Sequence, residues 1–127
     1  MQWLMIALGG ALGAISRAAL SGWVTKSIGA LGTGFPFGTL AVNFLGSFIM
    51  GLCYVLIVDH LKMPGHWREL VMVGFLGALT TFSTFSIEGL TMIQHGQWHL
   101  ALTYMTTSVV GCLLACFMGW HLAKLIL

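Results

Sequence analysis

At 127 residues, 58% hydrophobic and only 6% charged, with a mean hydropathy of +0.97, the chain carries too much apolar surface for a soluble domain of its size. Its solvent is the lipid bilayer. A net charge of +2 is too small for a nucleic-acid partner or a polybasic lipid anchor, and Cys53, Cys112 and Cys116 make no CxxC or zinc spacing and read as small core residues.

A bilayer core of about 30 Å needs roughly 20 apolar residues per helix, and four stretches qualify. The first runs from about Trp3 to Trp23. Its start, MQWLMIALGGALGAISR, has no basic leader and no A-x-A site, so it reads as a retained span, not a signal peptide. Gly9 and Gly13, and Gly10 and Ala14, stand four apart, the spacing that lets helix backbones approach closely in lipid. Arg17 continues the Gly9–Gly13 face. It either snorkels to an interface or raises the local anion concentration at a pore mouth.

After the glycine-rich connection TKSIGALGTGFP, the second span covers about Phe35 to Val58. It holds Asn43, Ser47 and Gly51 at four-residue steps. An amide there serves either helix–helix bonding or an anion, because it donates two hydrogen bonds. The connection DHLKMPGHWRE carries most of the charge.

The third span, about Leu70 to Ile93, contains GALTTFSTFSIEG. Thr80, Thr81, Ser83, Thr84 and Ser86 crowd together after Gly74 and Gly77. Such a cluster is where a membrane helix breaks and where side-chain oxygens cap the freed backbone; the expected break lies near Gly77–Thr81. Phe82 and Phe85, three apart, share a face beyond it. Their ring edges are positive and suit an anion, whereas broken carbonyl ends suit a cation. Glu88 reads as a proton carrier, a pore-wall group or a snorkelling end residue.

The turn QHGQW leads to the fourth span, about Leu100 to Leu125. Tyr104, Ser108, Cys112 and Cys116 recur every four residues and share one face. Gly111, Ala115 and Gly119 make a small-residue stripe. The continuous apolar runs predict a helical bundle and exclude a barrel.

With the N-terminus on one side, Lys62, Arg68 and Lys124 share that side, while Arg17 and Lys26 fall on the other. Such near balance fits insertion in both orientations, and so an antiparallel homodimer; it also fits a weak preference for one orientation. The histidines at span ends form no metal triad, and no nucleophile pair points to an enzyme.

Three segments, GGALGAISR, GTLAVNFLGSFIMG and GFLGALTTFSTFSIE, resemble the small bacterial fluoride channels, the Fluc or CrcB family, in order, spacing and span count. The resemblance implies a passive fluoride-selective channel of the bacterial cytoplasmic membrane. It implies an all-α, antiparallel dual-topology homodimer of four-helix subunits with two pores. A structural sodium ion at the dimer centre would be held by the carbonyls of Gly77 and Thr80. By motif match, Phe82, Phe85 and Asn43 belong to the fluoride pore, with Ser83, Thr84, Tyr104, Ser108 and Glu88 on its wall and Arg17 at the anion vestibule. Ala18 stands where the family often has an aromatic residue, and Cys112 where a hydroxyl is expected. The rival reading is a small proton-coupled multidrug or guanidinium exporter, but the carboxylate such proteins need in the first span is absent, and Arg17 is there instead. A second rival is a non-transporting subunit of a larger membrane complex.

Overall fold

A computed structural model describes residues 1–28 and 34–127. Among them the chain is entirely helical. Helix α1 spans Gln2–Ile28, α2 spans Phe37–His60, α3 covers residues 65–79, α4 spans Phe82–Gln94 and α5 spans Trp98–Ile126. With α3 and α4 taken together, four helices are long and apolar enough to cross a membrane. The protein is a multi-pass membrane protein.

Three of the four spans read from hydropathy are outrun by their helices, while α2 has the expected length, shifted two residues toward the C-terminus. Helix α1 continues past Trp23 to Ile28, and α3 starts at Gly65, not Leu70. Hydropathy marks the thickness of the hydrocarbon, while helical hydrogen bonding continues into the polar interface. The charged connection therefore shrinks to residues 61–64, with Lys62 at φ 44°. The first connection includes residues 29–33, which lie outside the described residues. The third is a tight turn. Gly96 at φ 74° closes α4, with the Gln97 N–H donating to Met92 O at 2.9 Å and the Gly96 N–H to Ile93 O at 3.0 Å. That pair of bonds needs a left-handed residue after the helix, which glycine adopts without strain.

Small residues bring the helices together in two crossings. A Cβ on Gly9 would overlap the Leu70 carbonyl, and one on Gly13 the Phe75 carbonyl, so α1 lies directly against α3. A Cβ on Gly51 would overlap the Cys116 carbonyl, and one on Gly119 the Phe48 carbonyl, so α2 lies against α5. Gly10, on the neighbouring face of α1, meets nothing within 4 Å. Of the two small-residue faces of α1, one packs inside the subunit and the other is left open.

The interior is small. Val42, Leu76 and Tyr104 are the largest side chains that are fully buried, while Leu12, Trp23, Phe82, Leu113 and many other large apolar residues are exposed. Trp3, Trp67, Trp98 and Trp120 stand near helix ends, where indoles anchor a span at the bilayer interface. The Lys124 Nζ sits over the Trp120 ring at 4.2 Å from its centroid.

The glycine crossings make a prediction. Gly9→Ala should destabilise the purified protein by about 1–3 kcal/mol, because the methyl meets backbone that cannot swing away. Gly10→Ala should shift stability by less than about 0.5 kcal/mol. Thermal unfolding of both variants in detergent measures the contrast; equal losses would show that Gly9 does not hold α1 against α3.

Candidate functional site

The third span is interrupted at its middle. Helix α3 ends at Leu79; Thr80 (φ −81°, ψ 153°) and Thr81 (φ −147°, ψ 120°) are extended; α4 starts at Phe82. Two consecutive β-branched residues are poor helix formers, and Thr is a preferred N-cap. Thr81 fills that role, its Oγ1 accepting from the Thr84 N–H at 3.2 Å. The Thr81 hydroxyl donates to Thr84 Oγ1 at 3.0 Å and lies 3.3 Å from Ser83 Oγ. Thr80 Oγ1 donates back to the Leu76 carbonyl at 3.0 Å. The Thr80 methyl occupies the place that a Cβ on Gly46 would take, so the glycine of α2 admits the extended segment.

Asn43 of α2 holds the Thr81 peptide from both sides. The Thr81 N–H donates to Asn43 Oδ1 at 2.7 Å, and Asn43 Nδ2 donates to Thr81 O at 3.0 Å. The sequence left Asn43 between helix–helix bonding and donation to an anion. The structure shows the first, bracing the interruption, and leaves one of its two N–H groups free of that pairing.

Two clefts take lining residues from α4, one from its first turn and one from its later turns. The first, about 430 Å³, is lined by Asn43, Thr80, Phe82, Phe85, Ser108 and Cys112. Its polar content is neutral, and among the described residues the buried Ser108 Oγ has no hydrogen-bond partner. The Phe82 and Phe85 rings stand 5.2 Å apart, tilted by 44°. Phe82 is 76% exposed. The second cleft, about 480 Å³, is lined by Thr39, Glu88, Thr91, His95 and Gln97.

Between the clefts stands a seam of side chains. Tyr104 is fully buried, with its ring 5.4 Å from that of Phe85 and 5.5 Å, edge-on, from that of Phe35. Its hydroxyl donates to Glu88 Oε2 at 2.7 Å, and Thr39 Oγ1 donates to Glu88 Oε1 at 2.8 Å. Each carboxylate oxygen thus takes one hydroxyl donor from another helix, which is how a half-buried carboxyl is tolerated within a span.

The structure therefore brings Asn43, Phe82, Phe85 and Ser108 to one cleft, with Tyr104 against Phe85 and bonded to Glu88, which lines the other cleft. Ser83 and Thr84 turn toward Thr81 and line neither cleft. Gly77 and Thr80 flank the interruption, Gly77 on the exposed surface. Arg17 is set apart. It was expected near the end of its span, yet α1 continues from it to Ile28, about 16 Å at 1.5 Å per residue. It is half-buried and lines neither cleft. Two residues went unmarked as site residues in the sequence, Thr39 and Thr81. Thr39 stands four residues before Asn43, so the Asn43–Ser47 stripe extended by one turn would have reached it. The N-cap signature of Thr81, followed three residues later by Thr84, was available too.

Comparison with known proteins agrees with this architecture. Residues 4–120 match the family described as CrcB-like protein, Camphor Resistance (CrcB). The chain is 51% identical over 126 residues to the fluoride-specific ion channel FluC of Magnetococcus marinus, covering 99% of this chain and 100% of that one. It is 51% identical to the FluC of Hahella chejuensis, covering 96% and 94% of the two chains. It is 50% identical to that of Saccharophagus degradans, covering 85% and 78%. Identity at this level over nearly the full length of four apolar helices leaves no other placement: the chain belongs to the CrcB family.

Proposed function

We propose that the chain is a passive, fluoride-selective ion channel that lets fluoride leave the cell across the bacterial cytoplasmic membrane. The observation that carries this reading is the first cleft. It offers an anion the free Ser108 hydroxyl, one amide N–H of Asn43 and the aromatic edges of Phe82 and Phe85, with no cation among its lining residues. Fluoride is small and strongly hydrated, so a pore must replace its water with close donors. It must also release the ion, and neutral donors with ring edges bind more weakly than a lysine would. The relatives named as fluoride-specific channels support the same choice.

Past Phe85 the ion meets Tyr104, whose hydroxyl is committed to Glu88 in the described arrangement. Fluoride passing to the second cleft takes over a hydroxyl that Glu88 now accepts. The seam serves as the narrowest, driest stretch of the path, and its exchange of partners sets the rate. Fluoride enters cells as the neutral weak acid and ionises inside. A passive anion path then lets the membrane potential drive it out.

The working unit we propose is an antiparallel homodimer with dual topology, two pores and a structural sodium ion at its centre. The donor set fits a hard monovalent cation. In an unbroken helix the Thr81 N–H would bond to Gly77 O and the Thr84 N–H to Thr80 O. Here Asn43 Oδ1 takes the first amide and Thr81 Oγ1 the second. Gly77 and Thr80 are thus among the carbonyls that the interruption leaves without a helical amide. Two copies would offer four oxygens about an axis, and a bound sodium would supply positive charge that ties the two interruptions together.

Flux measurements test the pore. Phe82→Ile, Phe85→Ile and Tyr104→Phe should each lower fluoride efflux from liposomes by at least about tenfold, roughly 1.4 kcal/mol on the barrier. Asn43→Asp should fall further, because a carboxylate then faces the passing anion. Wild-type rates from all four, with dimer content checked beforehand, would place the pore elsewhere.

Topology is tested separately. In a background without Cys53, Cys112 and Cys116, single cysteines between residues 61 and 64 should react with impermeant reagents from both faces of the membrane. Reaction from one face only would remove the dual-topology dimer and leave the family assignment intact.

A further inference from the structure

Asn43 and Thr81 do the same thing to the two carbonyls flanking the interruption. Asn43 Oδ1 draws the Thr81 N–H, at 2.7 Å, away from the Gly77 carbonyl. Thr81 Oγ1 draws the Thr84 N–H, at 3.2 Å, away from the Thr80 carbonyl. Both amides belong to residues that would otherwise extend the helix by four-residue bonding. Neither diversion is adventitious. The second hydrogen bond from Asn43 Nδ2 to Thr81 O, at 3.0 Å, fixes the amide's orientation. The Thr81 hydroxyl proton is engaged with Thr84 Oγ1 at 3.0 Å, which leaves its oxygen lone pairs facing the Thr84 amide. Thr81 is buried, so water cannot replace either partner.

We propose that Asn43 and Thr81 are positioning residues for the cation site: their side chains keep two backbone amides occupied, so that the Gly77 and Thr80 carbonyls stay free to face an ion. This rests on the sodium reading given above. It adds that the cation site is set by side chains that themselves touch no cation. It also makes Asn43 a shared part, one end in the fluoride cleft and the other holding the interruption. Loss of Asn43 Oδ1 or of the Thr81 hydroxyl leaves a buried amide without its partner and so favours straightening of Thr80 and Thr81 into helix, where the Thr81 N–H bonds to Gly77 O and the Thr84 N–H to Thr80 O. Each such bond removes one carbonyl per chain from the cation.

The test reads sodium binding through stability, not through flux. The thermal unfolding midpoint of the purified dimer is recorded against sodium concentration, with N-methylglucamine keeping the ionic strength constant. A ligand that binds the folded state alone begins to raise the midpoint near its dissociation constant, and above that the midpoint climbs with the logarithm of its concentration. In wild type and Thr81→Ser, which keeps the hydroxyl, the rise should begin at sodium concentrations within about threefold of each other. In Thr81→Val and Asn43→Leu, similar in size to the native residues, it should begin at a concentration at least about tenfold higher, or not at all. A merely structural role would lower the midpoint at every sodium concentration and leave the onset where it is. That outcome, with wild type responding, overturns the inference and spares the sodium site. A wild-type dimer indifferent to sodium overturns the site itself and the inference with it. Either of the two variants decides the matter, so misfolding of one leaves the other to carry the test.

Discussion

A peptide N–H or C=O in hydrocarbon without a partner costs several kcal/mol, since no water is there to take the bond. The interruption at Thr80 and Thr81 falls at the middle of a span that runs from Gly65 to Gln94, where that rule is strictest. It exists because two other helices are shaped around it. Helix α2 supplies Asn43 to pair with the Thr81 peptide, and Gly46 to make room for the Thr80 methyl. Helix α4 begins with a residue whose own hydroxyl caps it. From the interruption follows the change in direction that carries Phe82 and Phe85 to the cleft and sets Glu88 against Tyr104 and Thr39.

The polar groups inside the subunit fall into two kinds. Asn43, Thr81, Thr84, Thr39, Tyr104 and Glu88 are tied to one another or to the backbone across helices. Ser108 and one N–H of Asn43 are not. Buried hydroxyls without partners are rare in native proteins and ask for a reason. In the proposed pore, a passing anion that takes their hydrogen bonds for a moment would supply one. The engaged groups would give the path its shape, and the two free donors and the ring edges its affinity. An ion held by so few groups could also leave.

Much of this was legible in the sequence, and the gaps have physical causes. Four spans followed from hydropathy alone, because apolar length is set by bilayer thickness. Where the helices end did not, because polar residues such as Lys26 and His66 continue a helix into the interface without registering as apolar. The crowding of hydroxyls from Thr80 to Ser86 marked the site. Periodicity showed that Tyr104, Ser108, Cys112 and Cys116 share a face. It was silent on which partner each would find, since Glu88 meets Tyr104 from 16 residues away and Thr39 from 49. That Asn43 would pair with the Thr81 peptide was beyond reach, because it depends on the depth at which α2 crosses the interruption, where Gly46 admits the Thr80 methyl.

One consequence concerns what covers the subunit. Gly77 lies on the exposed surface, its carbonyl deprived of the amide that a continuous helix would provide. Phe82, 76% exposed, follows just after the interruption. Acyl chains solvate the ring well and the carbonyl not at all. A single subunit in a bilayer would therefore leave an unsatisfied oxygen at mid-depth, the arrangement that membrane proteins avoid most consistently. In the proposed dimer a second antiparallel copy would bring the same surface to the same depth, because the interruption lies at the centre of its span. Two sets of carbonyls would then face one another across an axis, and a cation between them would relieve their mutual repulsion. The proposed antiparallel arrangement and the proposed cation would thus answer one physical problem, and the central position of Thr80 and Thr81 in the span would let a single sequence serve both orientations.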